Sequence, residues 1–350
     1  MAGIEIQNYR GDFEDIVELT YRVWMPEYGG KTWVPLPQAA FLREKLTPDT
    51  GAVCLVAYEG STLVGSVLAV PRRMRINGTD HPVLMCTGFT VDPSRRRVAL
   101  PLIERLRRAM EETGTAFGIG MVLDDPTSAS YRFWTKYAEA YPTGFRFVFR
   151  GGYWAKFLRP DAFAEAGIEA WERIASRAVG PLLRLTPYGY DSHVRPYRPS
   201  DLDRCVELVE KTSSGVDWAM GWPREQLAAQ LGGSVFTTLV YERDGRVQAL
   251  VSCHNLPLQG RKLISCAFVD LWAEDQITGS GRVHFLSHLC KHLRDLGFQG
   301  VVAPRSATMP SSALVANLFL PGAQHFRIGV FPTKRMPPLA PPNSWSFEII

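Results

Sequence analysis

Apolar and polar positions along this chain trace one pattern twice. Residues 4–19 read IEIQNYRGDFEDIVEL and residues 193–208 read HVRPYRPSDLDRCVEL. Each predicts a short strand ending in Tyr-Arg, then an Asp before a helix with Ile, Val and Leu on one face. An acid suits a helix start, where unpaired amides and the dipole favour an oxygen acceptor. Next come VCLVAYEGSTLVGSVLAVP (53–71) and TTLVYERDGRVQALVSCHNLP (237–257). Each reads as strand, turn, strand, with Asp244-Gly245 as the second hairpin turn. A buried strand follows in each copy, VLMCTGFTV (83–91) and LISCAFVDL (263–271). Then come a loop, an amphipathic helix (98–113 and 280–296) and a further strand, FGIGMVL (117–123) and GVVAP (300–304).

This order predicts an α/β fold, layered in the α+β manner, with a mixed sheet in each of two domains. We place the first domain at 1–158 and the second at 193–350. The stretch 159–192 is an interdomain helix and linker, because DAFAEAGIEAWERIASRAV has a helical pattern. The proline-rich end, KRMPPLAPPNSWSFEII, is expected to lie extended over the surface or in a groove.

Composition narrows the classes. The 350 residues are 46% hydrophobic and 21% charged, a globular balance. A net charge of +4 is too mild to imply nucleic-acid binding. The basic run has no regularly interleaved aromatics, so no nucleic-acid partner is expected. The start of the chain lacks a signal-peptide pattern, and no apolar run approaches a bilayer span. The six cysteines form no C-x-x-C pair, which predicts reduced thiols and a cytoplasmic protein. His284, His288 and His292 recur every fourth residue. They read as the polar flank of an apolar row, and no metal site is expected.

The candidate chemistry lies in VDPSRRRVALPLIERL (91–106), where a strand runs through a basic loop into a helix. The first turn of a helix offers unpaired N–H groups to a phosphate. Arg95, Arg96 and Arg97 add full charge. The other reading is a solvated basic helix face. Asp270 is a second candidate. It lies in a strand apolar on both sides (AFVDLW), where an unpaired carboxyl would have the raised pKa that suits a general base.

The order of elements resembles the GCN5-related N-acetyltransferase (GNAT) superfamily, in tandem. Its motif Q/R-x-x-G-x-G/A, between the fourth strand and the next helix, holds the pyrophosphate of acyl-coenzyme A. The second copy matches it with Gln276, Gly279 and Gly281. The first copy departs from it, with Ala99 at the final small position but Arg97 in place of the first glycine. That run, Arg95-Arg96-Arg97-Val98-Ala99-Leu100-Pro101, is similar to the loop of protein N-myristoyltransferases. GMVLDDPTSASYRFWTKY (120–137) extends the resemblance with Arg-x-Trp on a helix.

The resemblance implies a cofactor-binding set of Val91, Arg95, Arg96, Arg97, Val98, Ala99 and Trp134, with Gln276, Gly279 and Gly281 in the second copy. Trp134 stands where the superfamily usually has a tyrosine that protonates the departing thiolate. Backbone amides at Phe89 and Thr90 would stabilise the thioester oxygen. The C-terminal carboxylate of Ile350 would be a base, beside Asp270. Glu27 and Tyr28, in the loop after the first helix, and Asp124 and Asp125 would border the acceptor.

The implied activity is N-acyl transfer from acyl-CoA, or from acyl-phosphopantetheine on an acyl carrier protein, to a primary amine of a peptide or small molecule. An alternative resembles mycothiol synthase, with acetyl-CoA bound by the second copy. A non-catalytic coenzyme A-binding or scaffold protein is a further one.

Overall fold

The computed structural model describes residues 3–46, 51–183, 185 and 188–347. The first half runs β1 (Ile4–Asn8), α1 (Phe13–Tyr28), β2 (Val34–Pro35), α2 (Ala39–Lys45), β3 (Val53–Glu59), β4 (Thr62–Ile76), β5 (Thr79–Val91), α3 (Ala99–Glu112), β6 (Phe117–Leu123), α4 (Ala129–Ala140) and β7 (Arg146–Phe157). Then come α5 (Pro160–Ala166) and α6 (Ala170–Leu183). The second half runs β8 (Val194–Pro196), α7 (Leu202–Ser213), β9 (Trp218–Gly221), α8 (Arg224–Gly232), β10 (Phe236–Arg243), β11 (Arg246–Gln259), β12 (Leu263–Glu274), α9 (Gly279–Asp295), β13 (Gly300–Pro304), α10 (Ser311–Ala316), β14 (Leu320–Pro332) and β15 (Trp345–Ser346).

Among the described residues the strands join one mixed sheet whose main path is β1-β3-β4-β5-β6-β14-β7-β13-β12-β11-β10-β8, with β2 on β11, β9 on β4 and β15 on β9 off that path. The order is symmetric about its centre. Along this order each half has one parallel pair, β5 with β6 and β12 with β13; β15 also pairs parallel with β9 off the main path. At the centre the halves exchange strands. β7 of the first half pairs with β13, and β14 of the second half pairs with β6. Two tandem mixed-sheet units therefore share one hydrogen-bonded ladder.

Alternation along the strands places helices on both faces. Val67 joins the cluster under α3 and α4, with Leu102, Leu106 and Trp134. Its neighbour Leu68 joins the opposite cluster, with Ile16 of α1 and Phe41 of α2. The second half repeats this, with Leu239 under α9 and Val240 under α7 and α8. Each fully buried Leu or Phe side chain contributes about 1.5–3 kcal/mol relative to exposure.

Local details agree with the sequence reading at most points and differ at a few. The Asp12 side chain accepts the N–H of Glu14 and caps α1. Asp201 instead accepts from Arg195 and from the amide of Arg198. Asp244 and Gly245 both have positive φ, as their hairpin turn requires. The interdomain helix is two helices rather than one. Gly167 leaves the helical region, and the Glu172 carboxylate accepts the N–H groups of Ile168 and Glu169 at the new start. The proline-rich end runs extended. Trp345 pairs with Trp218 of β9, and Phe347 is buried.

Candidate active site

The site begins where parallel pairing stops. Cys86 opposite Gly120 is the last paired position of β5 and β6. Beyond it Thr87–Val91 and Met121–Leu123 diverge. The other edge of β5 is irregular at the same level. Leu68 pairs with Thr87 and Ser66 with Thr90, so Gly88 and Phe89 face the single residue Val67. This β-bulge leaves a residue without its normal ladder bond. Gly88 has φ +58°, and a Cβ there would come within 2.9 Å of Leu68 Cδ1. A side chain at 88 would therefore be strained twice.

A cavity of about 550 Å³ fills the gap between the diverging strands. Cys86–Phe89 and Gly120–Leu123 line its neck. Ile103, Leu106, Trp134, Phe145 and Phe331 line an apolar arm between the sheet and α3 and α4. Trp134 is buried, with ring centroids 5.0 Å from Phe89 and 4.8 Å from Phe145. Its indole shapes this arm, and an indole N–H cannot serve as an acid for a thiolate. The cavity continues across the sheet to His254, Leu256 and Phe268 of the second half.

The strand-to-helix loop follows directly on the end of β5. Pro93–Val98 forms a 3-10 turn leading into α3, and Asp92 caps it by accepting the amide and hydroxyl of Ser94. Anion-holding amides must therefore come from later in the loop. Arg95 pairs with Glu59, and Arg97 reaches the same carboxylate at 3.6 Å. Arg96 is exposed, with no ion pair among the described residues. Val98 and Ala99 are buried under the loop. Val91 closes β5 half-buried, and Thr90 is buried with its hydroxyl unpartnered among the described residues.

The second half has a strand-to-helix loop at the equivalent position but not the same space. Gln276 has φ +62°, and Thr278 caps α9 by accepting the N–H of Gly281. A Cβ on Gly279 would meet nothing within 4 Å. Parallel pairing stops at Phe268 and Val302. The gap beyond it holds only about 20 Å³, walled by Val269–Ala273, Thr308, Met309, Ser346 and Phe347. That is room for about one water. The C-terminal segment fills it, with Ser346 and Thr308 hydroxyls 2.9 Å apart.

Asp270 is paired. Its carboxylate accepts from His254 Nδ1 at 2.8 and 2.9 Å, and both side chains are buried. Sequence reading did not single out His254. Ile350 lies outside the described residues. Glu27 and Tyr28 are the last turn of α1 rather than a loop, and they accept the amides of Ala129 and Ser130 at the start of α4. Asp124 is held by Arg150 and Arg327, and Asp125 by Thr127. In the histidine row, His288 Nδ1 accepts the N–H of Asp191. Among the described residues no group of three or more metal-ligating side chains occurs, and no helix is long and apolar enough to cross a membrane.

Of the first-copy residues, Phe89 and Trp134 line the large cavity, and Thr90, Val91 and Arg95–Ala99 follow Phe89 along the end of β5 and the loop into α3. Gln276, Gly279 and Gly281 follow β12 in the other half, with β6, β14, β7 and β13 between β5 and β12 in the sheet.

A family model for the acetyltransferase (GNAT) domain matches residues 8–137. No curated protein matches the chain. Among solved structures, Saccharomyces cerevisiae N-myristoyltransferase with bound myristoyl-CoA superposes with a TM-score of 0.75 at 14% identity, over 95% of this chain and 83% of that one. A protein of unknown function from Enterococcus faecalis, called a probable N-acyltransferase, gives 0.54 at 9% identity, over 96% and 74%. A GCN5-related N-acetyltransferase from Anabaena variabilis gives 0.53 at 10% identity, over 94% and 72%.

Proposed function

We propose that this chain, whose residues 8–137 match a GNAT acetyltransferase family model, is an acyltransferase that moves a fatty acyl group from acyl-CoA to a primary amine, with the donor held by the first half. The carrying observation is the contrast between the two strand gaps. The first opens into about 550 Å³ with an apolar arm, and the second is filled by the chain's own C-terminal segment. The arm lined by Ile103, Leu106 and Phe145 suits a hydrocarbon chain, and such burial stabilises by about 0.8 kcal/mol per CH₂. A carrier-protein donor would present the same thioester and pantetheine arm to this gap.

The residues fit that role in separate ways. Arg96 and the amides leading into α3 would hold phosphate charge. The interrupted ladder at Gly88 and Phe89 would offer N–H groups to the thioester oxygen as it gains charge. Direct transfer is favoured over a covalent enzyme intermediate. Cys86, the thiol at the neck, is pushed up to about 12 by its removal from water, so little thiolate exists at neutral pH. The acceptor would enter from the second-half side, where the same cavity meets β11 and β12.

Calorimetric titration with decanoyl-CoA tests the donor site. Arg96→Glu should weaken binding at least about tenfold, the effect of about 1.4 kcal/mol. Gly279→Glu, at an open position of the second loop, should leave it unchanged. The opposite result would move the donor to the second half. Absence of binding by the unmodified protein would overturn the reading.

A further inference from the structure

His254 stands on β11 opposite an irregularity in β12. Ser252 pairs with Leu271 and Cys253 with Val269, so Asp270 is the extra residue of a bulge. The Asp270 carboxylate meets His254 Nδ1 at 2.9 and 2.8 Å. The His254 side chain is 4% exposed and that of Asp270 is 0%. A carboxylate only accepts, so Nδ1 carries a proton and Nε2 is the basic nitrogen of the neutral ring. Nε2 has no hydrogen-bond partner among the described residues, and the ring lines the large cavity.

Aromatic neighbours fix the ring. It stacks on Phe41 at 4.2 Å and lies 5.6 Å from Phe268 and 6.4 Å from Phe236. Lys45 Nζ lies over the rings of Phe41 and Phe236, which flank His254. Packing also links the imidazole to the bulge of the first half. Phe41 shares a buried cluster with Leu68, and Leu68 lies against Gly88. Packing alone does not call for a buried carboxylate–imidazole pair, which costs desolvation unless fully hydrogen-bonded. A pair with one nitrogen committed and the other turned to a cavity has the arrangement of an oriented base.

We propose that His254 Nε2 is the base that takes the proton from the acceptor amine, with Asp270 as its positioning residue. This rests on the donor-site reading above. The ammonium gives one proton to Nε2. The freed nitrogen lone pair forms the C–N bond to the thioester carbonyl carbon, and the C–S bond breaks with its electron pair on sulfur. Sulfur takes the second proton released as the amide forms, and the imidazolium returns the first to water. The balance is thioester plus ammonium giving amide, thiol and one proton. Asp270 stabilises the imidazolium while it exists.

Two amines separate this role from a structural one. Glycinamide is largely protonated at neutral pH and needs a base, whereas hydroxylamine is already neutral. Acylation of each from decanoyl-CoA is measured with the unmodified protein, His254→Gln and Asp270→Asn, with decanoyl-CoA affinity measured alongside. A general base contributes about 10²–10⁴-fold. His254→Gln should lower kcat for glycinamide by about 10²-fold or more while hydroxylamine transfer and decanoyl-CoA affinity stay within about threefold. Asp270→Asn should act in the same direction. Equal loss for both amines, or no loss for glycinamide, would overturn the base role. If the unmodified protein binds decanoyl-CoA but His254→Gln alone fails to bind it, His254 is structural and the proposal falls. If the unmodified protein neither binds decanoyl-CoA nor acylates either amine, the donor-site reading falls and this one with it.

Discussion

Gly65 of β4 lies directly beneath the start of α3. A Cβ there would come within 2.9 Å of Leu102 Cδ1 and 3.2 Å of Val98 Cγ1. This close approach sets the height of the basic loop above the sheet edge. Gly65→Val would push the first turn of α3 away. Overpacking of this kind costs about 1–3 kcal/mol. Decanoyl-CoA affinity should fall at least about tenfold in calorimetry, with far-UV circular dichroism unchanged. Full affinity would show that the loop's position does not matter.

The apolar arm should set donor length. Ile103 is buried on α3 and lines the arm. Ile103→Phe fills part of it. Tight binding should shift from decanoyl-CoA towards acetyl-CoA and butyryl-CoA, read as a reversal in their relative Kd values. An unchanged order would place the acyl chain elsewhere.

Glu59 occupies two of the three loop arginines. Glu59→Gln would release Arg95 and Arg97 towards a phosphate. Coenzyme A should then bind more tightly, and its Kd should depend more steeply on salt. Weaker binding would mean that Glu59 positions the arginines instead of competing for them.

Stability should fall with acid in a window set by α9. Burial holds His288 below its ordinary value of 6.5, and the neighbouring His292 adds to this; burial also lowers His292. In the folded protein both therefore bind fewer protons than in the unfolded chain. Stability is complete above the unfolded value, decreases as pH falls through about 6.5, and levels off below the folded value. Urea unfolding at pH 7, 6 and 5 should show this loss, and His288→Gln should make it shallower. A rise in stability on acidification would contradict the assignment.

The sequence made the architecture legible where the code is local. Asp244-Gly245 marks its hairpin, and Asp12 marks the start of α1. The doubled pattern shows that Arg95–Ala99 and Gln276–Gly281 are equivalent loops. The inequality of the two loops was not legible, because Ser346 and Phe347 close the second gap from more than 60 residues away in sequence. The exchange of β7 and β14 was hidden for the same reason, since neither strand carries a local mark of its partner. Asp270 stood out as an acid in an apolar strand. His254 did not, because one polar residue in an alternating strand is ordinary, and the bulge that aims Asp270 at it is a property of the pairing.

The central claim is that the first half holds the donor. A crystal structure with decanoyl-CoA tests it most directly. The account predicts one bound molecule, with its phosphates beside Arg96, its carbonyl oxygen at the Gly88–Phe89 bulge and its chain against Ile103, Leu106 and Phe145. Density for coenzyme A at Gln276–Gly281, with the first gap empty, would contradict it.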